Sequence, residues 1–312
     1  MSIAFLFPGQ GSQQPNMLHH LPQHPVIEKT LHEASKVLKD DILRWDSAKA
    51  LQSTVAVQVA LLVAGVAVAR ALQAEGVRPN MVAGHSVGAF GAAVTANALT
   101  FRDAISLVKL RGELMESAYP HGYGMGVVVG IEERQLARLI ANHFTNENPV
   151  YIANLNSPKQ ITISGSIRGI EKILALAREE GASKAEFLNV RVPSHCVLMK
   201  SVSSQLRNAM EMIPFQPPQI PYAANRTARP LRDPEAIKED LALSVSHPVR
   251  WHEAICVLFE LGAQLFIEMP PKNVLTNLAQ QAFPCRRSIS VADSGIRTVC
   301  VVAQRMKENS NC

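Results

Sequence analysis

The chain is poor in the cysteine patterns that mark secreted and zinc-binding proteins. Its five cysteines are odd in number, widely spaced and without a Cys-x-x-Cys pair. A disulfide framework and a structural zinc site both need paired or clustered cysteines. The sequence therefore predicts a protein of the reducing cytoplasm that holds no metal ion. The cysteines are Cys196, Cys256, Cys285, Cys300 and Cys312.

Aromatic residues are also scarce, at 5% of the chain, and the lysines and arginines form no basic run. Nucleic-acid-binding surfaces combine clustered positive charge with aromatic side chains that stack on bases. The formal net charge of +5 is instead dispersed along the chain. We therefore expect no nucleic-acid partner and interpret the excess charge as a mild attraction toward acidic partners or substrates.

Long apolar runs are missing as well. The longest stretch, residues 55–69, contains Gln58 and ends at Arg70, which is short of the roughly 20 residues that a membrane span needs. The apolar run at residues 3–7 is too short for a signal peptide and follows no basic segment. These patterns predict a buried helix, an N-terminal strand and no association with a membrane.

The remaining composition is that of a globular α/β protein. The 312 residues are 47% hydrophobic, enough to fill a substantial core. Strand and helix patterns alternate, which indicates a large α/β-hydrolase-like domain with a mainly parallel sheet in residues 1–121 and 193–312. Residues 122–192 follow the order β-α-β-β-α-β and predict an inserted ferredoxin-like domain. We expect the final helix at residues 273–281 and a functional site in the cleft between the domains.

A Gly-x-Ser-x-Gly motif, GHSVG, lies at residues 84–88 between an apolar run and a small-residue segment. It predicts that Ser86 lies on a tight turn between a strand and a helix, where Gly84 and Gly88 permit close approach of the backbone. The amides at the start of the helix could stabilise a developing oxyanion. On the motif alone, a glycine-rich turn without chemistry remains an equal alternative.

An active serine needs a base, and ten histidines are available. His85 adjoins Ser86, but neighbouring side chains on a tight turn point in different directions. His195 lies in the segment VPSH, where the chain returns from the small domain to the large one, so we expect it to face the cleft. A histidine that is merely buried at the domain boundary is the alternative.

Arg111 follows Ser86 by 25 residues and borders a helical face of apolar residues. A buried guanidinium is costly unless it meets an acidic group. Either Glu113 or another acid of the chain supplies that group, or a substrate carboxylate does, held in a bidentate fashion. The sequence leaves both alternatives open.

Taken together, these segments resemble the malonyl-CoA:acyl-carrier-protein transacylase family over nearly the whole chain. FPGQGSQ resembles the family's N-terminal oxyanion loop, GHSVG its nucleophile turn, and NSP part of its small-domain hairpin. VPSH resembles its catalytic-histidine segment and HPVRW the late loop that orients this histidine. In the same order, these segments are residues 7–13, 84–88, 156–158, 192–195 and 247–251.

The resemblance implies a role for each matching residue. Ser86 would be the nucleophile and His195 its base, with the imidazole oriented by the backbone carbonyl of Ser244. The amides of Gln10 and Val87 would form the oxyanion hole. The remaining implied residues are Arg111, which would bind the acyl carboxylate, and Gln58 and Asn156, which would line the pocket or instead satisfy buried backbone. Malonyl-CoA would be the donor substrate, with no permanently bound cofactor.

Two departures from the family pattern bear on the acceptor. The chain has Ala89 where the family usually has glutamate, and Met269-Pro270-Pro271 where the family has a Gly-Pro-Gly turn. Both look more like the epsilon subunit of malonate decarboxylase, which implies a carrier-protein subunit bearing phosphoribosyl-dephospho-CoA and other decarboxylase subunits as partners. The alternative is a malonyl-CoA:carrier transacylase of fatty-acid or polyketide synthesis.

Two further functions compete with malonyl transfer. A serine esterase or thioesterase of the α/β-hydrolase type shares the Gly-x-Ser-x-Gly motif, but its histidine normally comes late and after an acid. Here His195 is followed by a further 117 residues (312 minus 195). A non-catalytic subunit that only docks a carrier protein would not need Ser86, His195 and Arg111 together.

Overall fold

Two β-sheets organise the chain in the computed structural model, which describes residues 1–119 and 121–309; Cys312 therefore lies outside the described residues. The strands are β1 Ser2–Phe7, β2 Met81–Gly84, β3 Tyr123–Val129, β4 Val150–Ser157, β5 Gln160–Ser166, β6 Lys184–Phe187, β7 Tyr222–Ala223, β8 Pro230–Leu231, β9 Ala263–Glu268 and β10 Arg287–Ser290. The helices are α1 Pro25–Leu38, α2 Thr54–Ala74, α3 Gly88–Thr95, α4 Phe101–Ala118, α5 Glu133–His143, α6 Ile167–Glu179, α7 Lys200–Met210, α8 Pro234–Leu243, α9 Trp251–Glu260, α10 Val274–Ala282 and α11 Val291–Asn309. Short 3-10 turns occupy Ile42–Asp46, Ala50–Gln52, Val197–Met199 and Ser244–Ser246.

The larger sheet has the strand order β10-β9-β1-β2-β7-β8. Its strands are parallel except for the antiparallel β7–β8 pair. Strands β1 and β2 are buried and apolar, as expected for the centre of a parallel sheet covered on both faces. Phe7 pairs with Gly84 at their carboxyl ends, so the loops that follow β1 and β2 lie side by side. Ligands of open α/β sheets bind at this edge.

Helix α2 lies in the core beside α1, α3 and α4. It spans Thr54–Ala74 and so runs past Arg70, the residue at which the longest apolar run of the sequence ends. The helix continues because the Arg70 guanidinium leaves the core and pairs with Glu33 at 2.6 Å. Among the described residues, α2 is the one helix whose length and composition alone would allow it to cross a membrane, yet 89% of its most apolar window is buried in the protein.

The smaller sheet is antiparallel, with the order β4-β5-β3-β6. Its strands and the helices α5 and α6 follow one another as β-α-β-β-α-β, the order expected from the sequence. Two backbone hydrogen bonds join β4 to the larger part of the chain: Leu155 N to Val249 O and Val249 N to Ala153 O, both 2.8 Å. The domain boundaries and the α/β-hydrolase-like layout of the larger part stay predictions.

The sequence interpretation missed elements in the last third of the chain. Helix α10 is not the final helix, because β10 and α11 follow it, and α8 was also missed. Asp233 caps α8 by accepting a hydrogen bond from Ala236 N, and Pro234 occupies its first turn, so signals for this helix were present. Helix α11 was harder to predict because Gly295, with φ 73°, interrupts its helical dihedral angles.

Candidate active site

Ser86 occupies the turn between β2 and α3 with φ 55°, a left-handed conformation that a residue other than glycine adopts at a cost of about 1–3 kcal/mol. The flanking glycines make this turn possible. A Cβ on Gly84 would lie 2.1 Å from the carbonyl carbon of Gly88, and a Cβ on Gly88 would lie 2.2 Å from Phe7 O. The close approach of strand, turn and helix therefore excludes any side chain at these two positions.

His195 lies directly beside Ser86. The Ser86 Oγ to His195 Nε2 distance is 2.7 Å, and His195 Nδ1 lies 2.7 Å from the carbonyl oxygen of Ser244. Because a carbonyl only accepts hydrogen bonds, Nδ1 carries the proton, and the lone pair of Nε2 faces the serine hydroxyl. The serine, the imidazole and the backbone carbonyl thus form a hydrogen-bonded chain that contains no carboxylate.

Burial and charge keep the imidazole of His195 neutral. Its side chain is 2% exposed. Burial, followed by the positive charge of Arg111, lowers its pKa to about 3, and the hydrogen bond to Ser244 opposes this shift. At neutral pH the ring is therefore free to accept a proton from Ser86.

Arg111, on α4, is 1% exposed and points at the same serine. Its Nη2 lies 3.2 Å from Ser86 Oγ, and its Nη1 donates to Gln58 Oε1 at 2.5 Å. The Nε atom is buried and has no hydrogen-bond partner among the described residues. Burial lowers the pKa of this guanidinium to about 10, so it remains charged at pH 7.

Of the two alternatives for the partner of Arg111, the structure excludes Glu113. Glu113 hydrogen-bonds and ion-pairs with Lys109, one turn earlier on the exposed side of α4. The ion pairs within residues 1–119 and 121–309 include none to Arg111. A buried cation without a counter-charge is costly, and the site therefore favours an anionic ligand beside Ser86.

A small cavity of about 40 Å³ lies in front of Ser86. Gln10, Arg111 and His195 line its polar side, and apolar side chains complete the wall. These are Met115, Met125, Leu188 and Val190. A cavity of this size has room for a group of only a few atoms.

A second cavity, of about 190 Å³, adjoins the first and shares Gln10, His85, Asn154 and Leu188 with it. The loop after β1 forms one side of it, and the small sheet and α10 form the other. We call this second space the outer channel. Its mixed polar and apolar walls suit an extended chain that carries amide groups.

The two predicted support residues have different surroundings. Gln58 accepts from Arg111 and donates through Nε2 to Met115 Sδ at 3.4 Å. Asn156 lines the outer channel, and its Oδ1 lies 3.0 Å from His85 Nε2. His85 is thus bonded away from Ser86, in agreement with the prediction for neighbours on a tight turn. Of the two, only Gln58 contacts the group of Ser86, His195 and Arg111.

Sequence reasoning missed Asn225, which contacts the turn directly. Its Oδ1 accepts from Ser86 N at 2.9 Å, and its Nδ2 donates to Gly84 O at 2.9 Å. A single asparagine 139 residues away, after a strand of two residues, carries no pattern that would reveal this contact. In the described part of the chain, no group of three or more His, Cys, Asp and Glu residues is arranged to hold a metal ion.

The pKa of His195 leads to an expected pH profile. Only the neutral imidazole of His195 can accept a proton, and its folded pKa of about 3 lies below the ordinary value of 6.5. Labelling of Ser86 by a small fluorophosphonate should therefore keep a constant rate from pH 8 to pH 5, measured over time by mass spectrometry. A loss of rate with a midpoint near 6.5 would contradict this buried, neutral imidazole.

The same shift sets the direction of the stability change in acid. The unfolded chain binds a proton on this histidine near pH 6.5, whereas the folded chain does not until the pH is near 3. The contribution of His195 to stability is therefore present above pH 6.5 and is lost as the pH falls below it. The labelling measurement should accordingly include a check that the protein is folded at each pH.

Comparison with known proteins shows which protein family has sequences similar to this chain. The family model described as "Acyl transferase domain" matches residues 4–311. A malonyl CoA-acyl carrier protein transacylase of Bacillus subtilis (strain 168) is 35% identical over 314 residues, which cover 99% of this chain and 98% of that relative. The enzyme of the same name from Escherichia coli (strain K12) is 35% identical over 285 residues, covering 89% and 92%.

Solved structures of similar proteins have the same fold. The malonyl CoA-acyl carrier protein transacylase from Coxiella burnetii superposes with a TM-score of 0.93 at 33% identity, covering 98% of each chain. A second structure contains a malonyl-transacylase with its type II polyketide acyl-carrier protein. It superposes with a TM-score of 0.91 at 35% identity and covers 97% of this chain and 99% of that one. A mainly parallel sheet with a smaller antiparallel sheet is thus shared with structures of this group.

Proposed function

The chain belongs to the malonyl-CoA:acyl-carrier-protein transacylase family and is a malonyltransferase, and we propose that it moves malonyl from malonyl-CoA to the thiol of a carrier protein through a malonyl-Ser86 intermediate. In this proposal Ser86 is the nucleophile and His195 the general acid and base. Arg111 binds the malonyl carboxylate. The amides of Gln10 and Val87 stabilise the oxyanion.

One observation carries the proposal: the guanidinium of Arg111 is buried, has no carboxylate partner within residues 1–119 and 121–309, and lies 3.2 Å from Ser86 Oγ. Malonyl differs from neutral acyl groups by the carboxylate that such a cation would bind. The small cavity beside these atoms matches a three-carbon acyl group better than a long chain. The charge of Arg111 and the size of the cavity thus both favour malonyl as the acyl group.

In the first half-reaction, Ser86 Oγ attacks the thioester carbonyl while its proton moves to His195 Nε2. The tetrahedral intermediate breaks its carbon–sulfur bond, and the imidazolium protonates the departing CoA thiolate. The carbonyl of Ser244 keeps the proton on Nδ1 throughout, which is the orienting task that a carboxylate performs in a Ser-His-Asp triad. The product is an ester between malonyl and Ser86.

In the second half-reaction, a carrier thiol enters through the outer channel and gives its proton to His195. The resulting thiolate attacks the malonyl ester. The intermediate then breaks its bond to Ser86 Oγ, which recovers the proton from His195. The first product has left before the second substrate reacts, so the kinetics should be ping-pong.

Binding of malonyl should itself strengthen the base. The positive charge of Arg111 is the second-largest cause of the low pKa of His195. A malonyl carboxylate that pairs with Arg111 compensates this charge and makes imidazolium formation easier. A neutral acyl group provides no such compensation, so the arginine would favour malonyl in the chemical step as well as in binding.

We assign the oxyanion hole to backbone amides that can donate a hydrogen bond to the substrate. Ser86 N already donates to Asn225, so the next amide, that of Val87 just before α3, is the natural donor at the turn. Gln10 lines the small cavity from the loop after β1. Two preorganised donors at these positions would act on the oxygen charge that develops only during the reaction.

Two carriers are candidates for the acceptor. The names of the relatives favour an acyl carrier protein of fatty-acid or polyketide synthesis. Ala89, which is fully buried in α3, and Pro270-Pro271 favour the carrier subunit of malonate decarboxylase, in contact with the other decarboxylase subunits. For either acceptor we propose a cytoplasmic enzyme without a bound cofactor, in keeping with the free thiols at Cys196, Cys256, Cys285 and Cys300.

A partition experiment tests transfer against the esterase and docking alternatives. The protein is given isotope-labelled malonyl-CoA, and the label is then followed into free malonate, an acyl carrier protein with phosphopantetheine, and a decarboxylase carrier with its longer prosthetic group. We expect the label to reach a carrier much faster than water, and the faster carrier identifies the acceptor.

The control is the same carrier without its prosthetic thiol, which should receive no label. Release of malonate at one rate with or without a carrier would identify an esterase and contradict the proposal. A carrier that binds while label stays on CoA would instead identify a docking subunit.

A further inference from the structure

The contacts of Asn225 link the nucleophile turn to a buried acidic residue. Besides the two bonds from its side chain to the turn, Asn225 donates through its backbone N to Asp240 Oδ2 at 3.0 Å. Its backbone O accepts from Arg250 N at 2.8 Å. The side chain is 2% exposed. Both backbone groups and both polar side-chain atoms of this residue are therefore hydrogen-bonded, which fixes its position and its amide orientation.

Asp240, on α8, is the anchor of this arrangement. Its carboxylate accepts from the backbone N atoms of Asn225 and Arg226, each at 3.0 Å, and from the Tyr222 hydroxyl at 2.9 Å. Three donors around one buried carboxylate hold the segment after β7 against α8. As a result, the Asn225 carboxamide is held against the backbone turn that contains Ser86.

The carboxamide bonds two backbone groups on either side of His85: the carbonyl of Gly84 and the amide of Ser86. These two hydrogen bonds connect the start and the end of the turn through the Asn225 side chain. They offset the cost of the left-handed backbone at Ser86, and they leave the serine hydroxyl pointing at His195 Nε2. They also occupy the Ser86 amide, so that this N–H cannot bind the substrate in a competing way.

We propose that Asn225 is a positioning residue of the nucleophile turn. It holds Ser86 in its reactive conformation through these two hydrogen bonds, and Asp240 holds Asn225 in place. The role of the serine is the one given under the proposed function, on which this inference rests. Asn225 touches no reacting atom and acts only through the backbone of the turn.

Asn225→Ala tests the proposal because it removes both bonds. A displacement of about 1 Å at a reacting group can reduce a rate about 10²-fold. We expect the first-order rate of Ser86 acylation at saturating malonyl-CoA to fall by about that factor. Half-saturation by malonyl-CoA should change much less, because Arg111 and the outer channel are untouched.

A matched control separates positioning from general loss of stability. Val299 is fully buried on α11, and no α11 residue lines the cavity at Ser86, so Val299→Ala should lower the unfolding temperature without slowing acylation. Equal acylation rates in Asn225→Ala, Val299→Ala and the unaltered protein would overturn the proposal.

Asn225→Asp provides a second variant that nearly preserves the shape. Its ionised carboxylate can accept from Ser86 N but repels Gly84 O, whereas its protonated form can accept and donate like the amide. Acylation should be slow at pH 8 and recover as the pH falls. The charged and titratable groups around the turn are Asp240, Tyr222, Arg226 and Glu239 on the side of Asn225, and His85, His195 and Arg111 on the side of Ser86. The unaltered protein in the same buffers is the control for all of them.

A fluorophosphonate keeps this test independent of the proposed substrate, because it reports the reactivity of Ser86 and needs no malonyl recognition. If the unaltered protein is labelled but never malonylated, the proposed function fails, while the labelling rates of the variants still test Asn225. If malonylation occurs, and Asn225→Ala and Asn225→Asp react as fast as the unaltered protein with both reagents, only the positioning role fails.

Discussion

Arg111→Ala is expected to abolish the preference for malonyl over acetyl. In the unaltered protein, acetyl leaves the buried guanidinium without an anionic partner, at a penalty of about 2–5 kcal/mol relative to malonyl. This corresponds to roughly a 30-fold to 5,000-fold difference in kcat/KM. The measurement is kcat/KM for malonyl-CoA and acetyl-CoA in the same assay, and the ratio should fall toward one in the variant.

The variant should affect the two substrates in opposite directions or to very different degrees. Malonyl loses the cation that we propose binds its carboxylate. Acetyl loses only an unpaired cation, so its rate should be maintained or should rise. Arg111→Lys should give an intermediate ratio, because lysine keeps the charge but lacks the planar fork that binds a carboxylate at two atoms.

Lys109→Ala is the matched control for Arg111. It removes a cation from the same helix, but one that is half-exposed and already paired with Glu113. The acyl preference should not change in this variant. An equal fall of the malonyl and acetyl rates in Arg111→Ala would contradict the assignment of this arginine to the substrate carboxylate.

Ser86→Ala is expected to reduce malonyl transfer by at least about 10⁴-fold, the scale seen when the nucleophile of a serine enzyme is removed. The oxygen that we propose attacks the thioester is lost, and with it the hydroxyl that hydrogen-bonds the imidazole of His195. Initial rates of carrier malonylation measure the effect. The variant should fold, because alanine removes only a hydroxyl and the Asn225 bonds to the backbone remain.

Ser194→Ala is the control for Ser86. Ser194 is buried and lines the same cavity, but the imidazole hydrogen-bonds Ser86. We expect this variant to transfer malonyl at a rate within about tenfold of the unaltered protein. Loss of transfer in Ser194→Ala together with full activity in Ser86→Ala would reverse the assignment of the nucleophile.

The local parts of the site could be predicted from the sequence because their signals are short. The GHSVG motif indicates a strand, a turn and a helix within a few residues, and the turn has the left-handed backbone at Ser86. Apolar spacing on α4 indicated that Arg111 borders a buried face. What this pattern could not give was the partner, because Gln58 lies 53 residues earlier on another helix.

The long-range parts depended on resemblance to a family. His195 is 109 residues from Ser86, and Ser244 a further 49 from His195, so no local periodicity connects them. Asn225 was missed because its contacts are to backbone atoms of the turn, which any sequence would offer. The fold was least predictable at its C-terminal end, where β10 is a short edge strand and a glycine interrupts α11.

The most direct test of malonyl transfer through Ser86 is the intact mass of the protein after malonyl-CoA and again after a thiol-bearing carrier. We predict that the unaltered protein gains one malonyl group on the peptide that contains Ser86. The carrier should then remove this group and gain it, and Ser86→Ala should gain none. A protein that acquires no malonyl group, or acquires it equally in Ser86→Ala, would contradict the account.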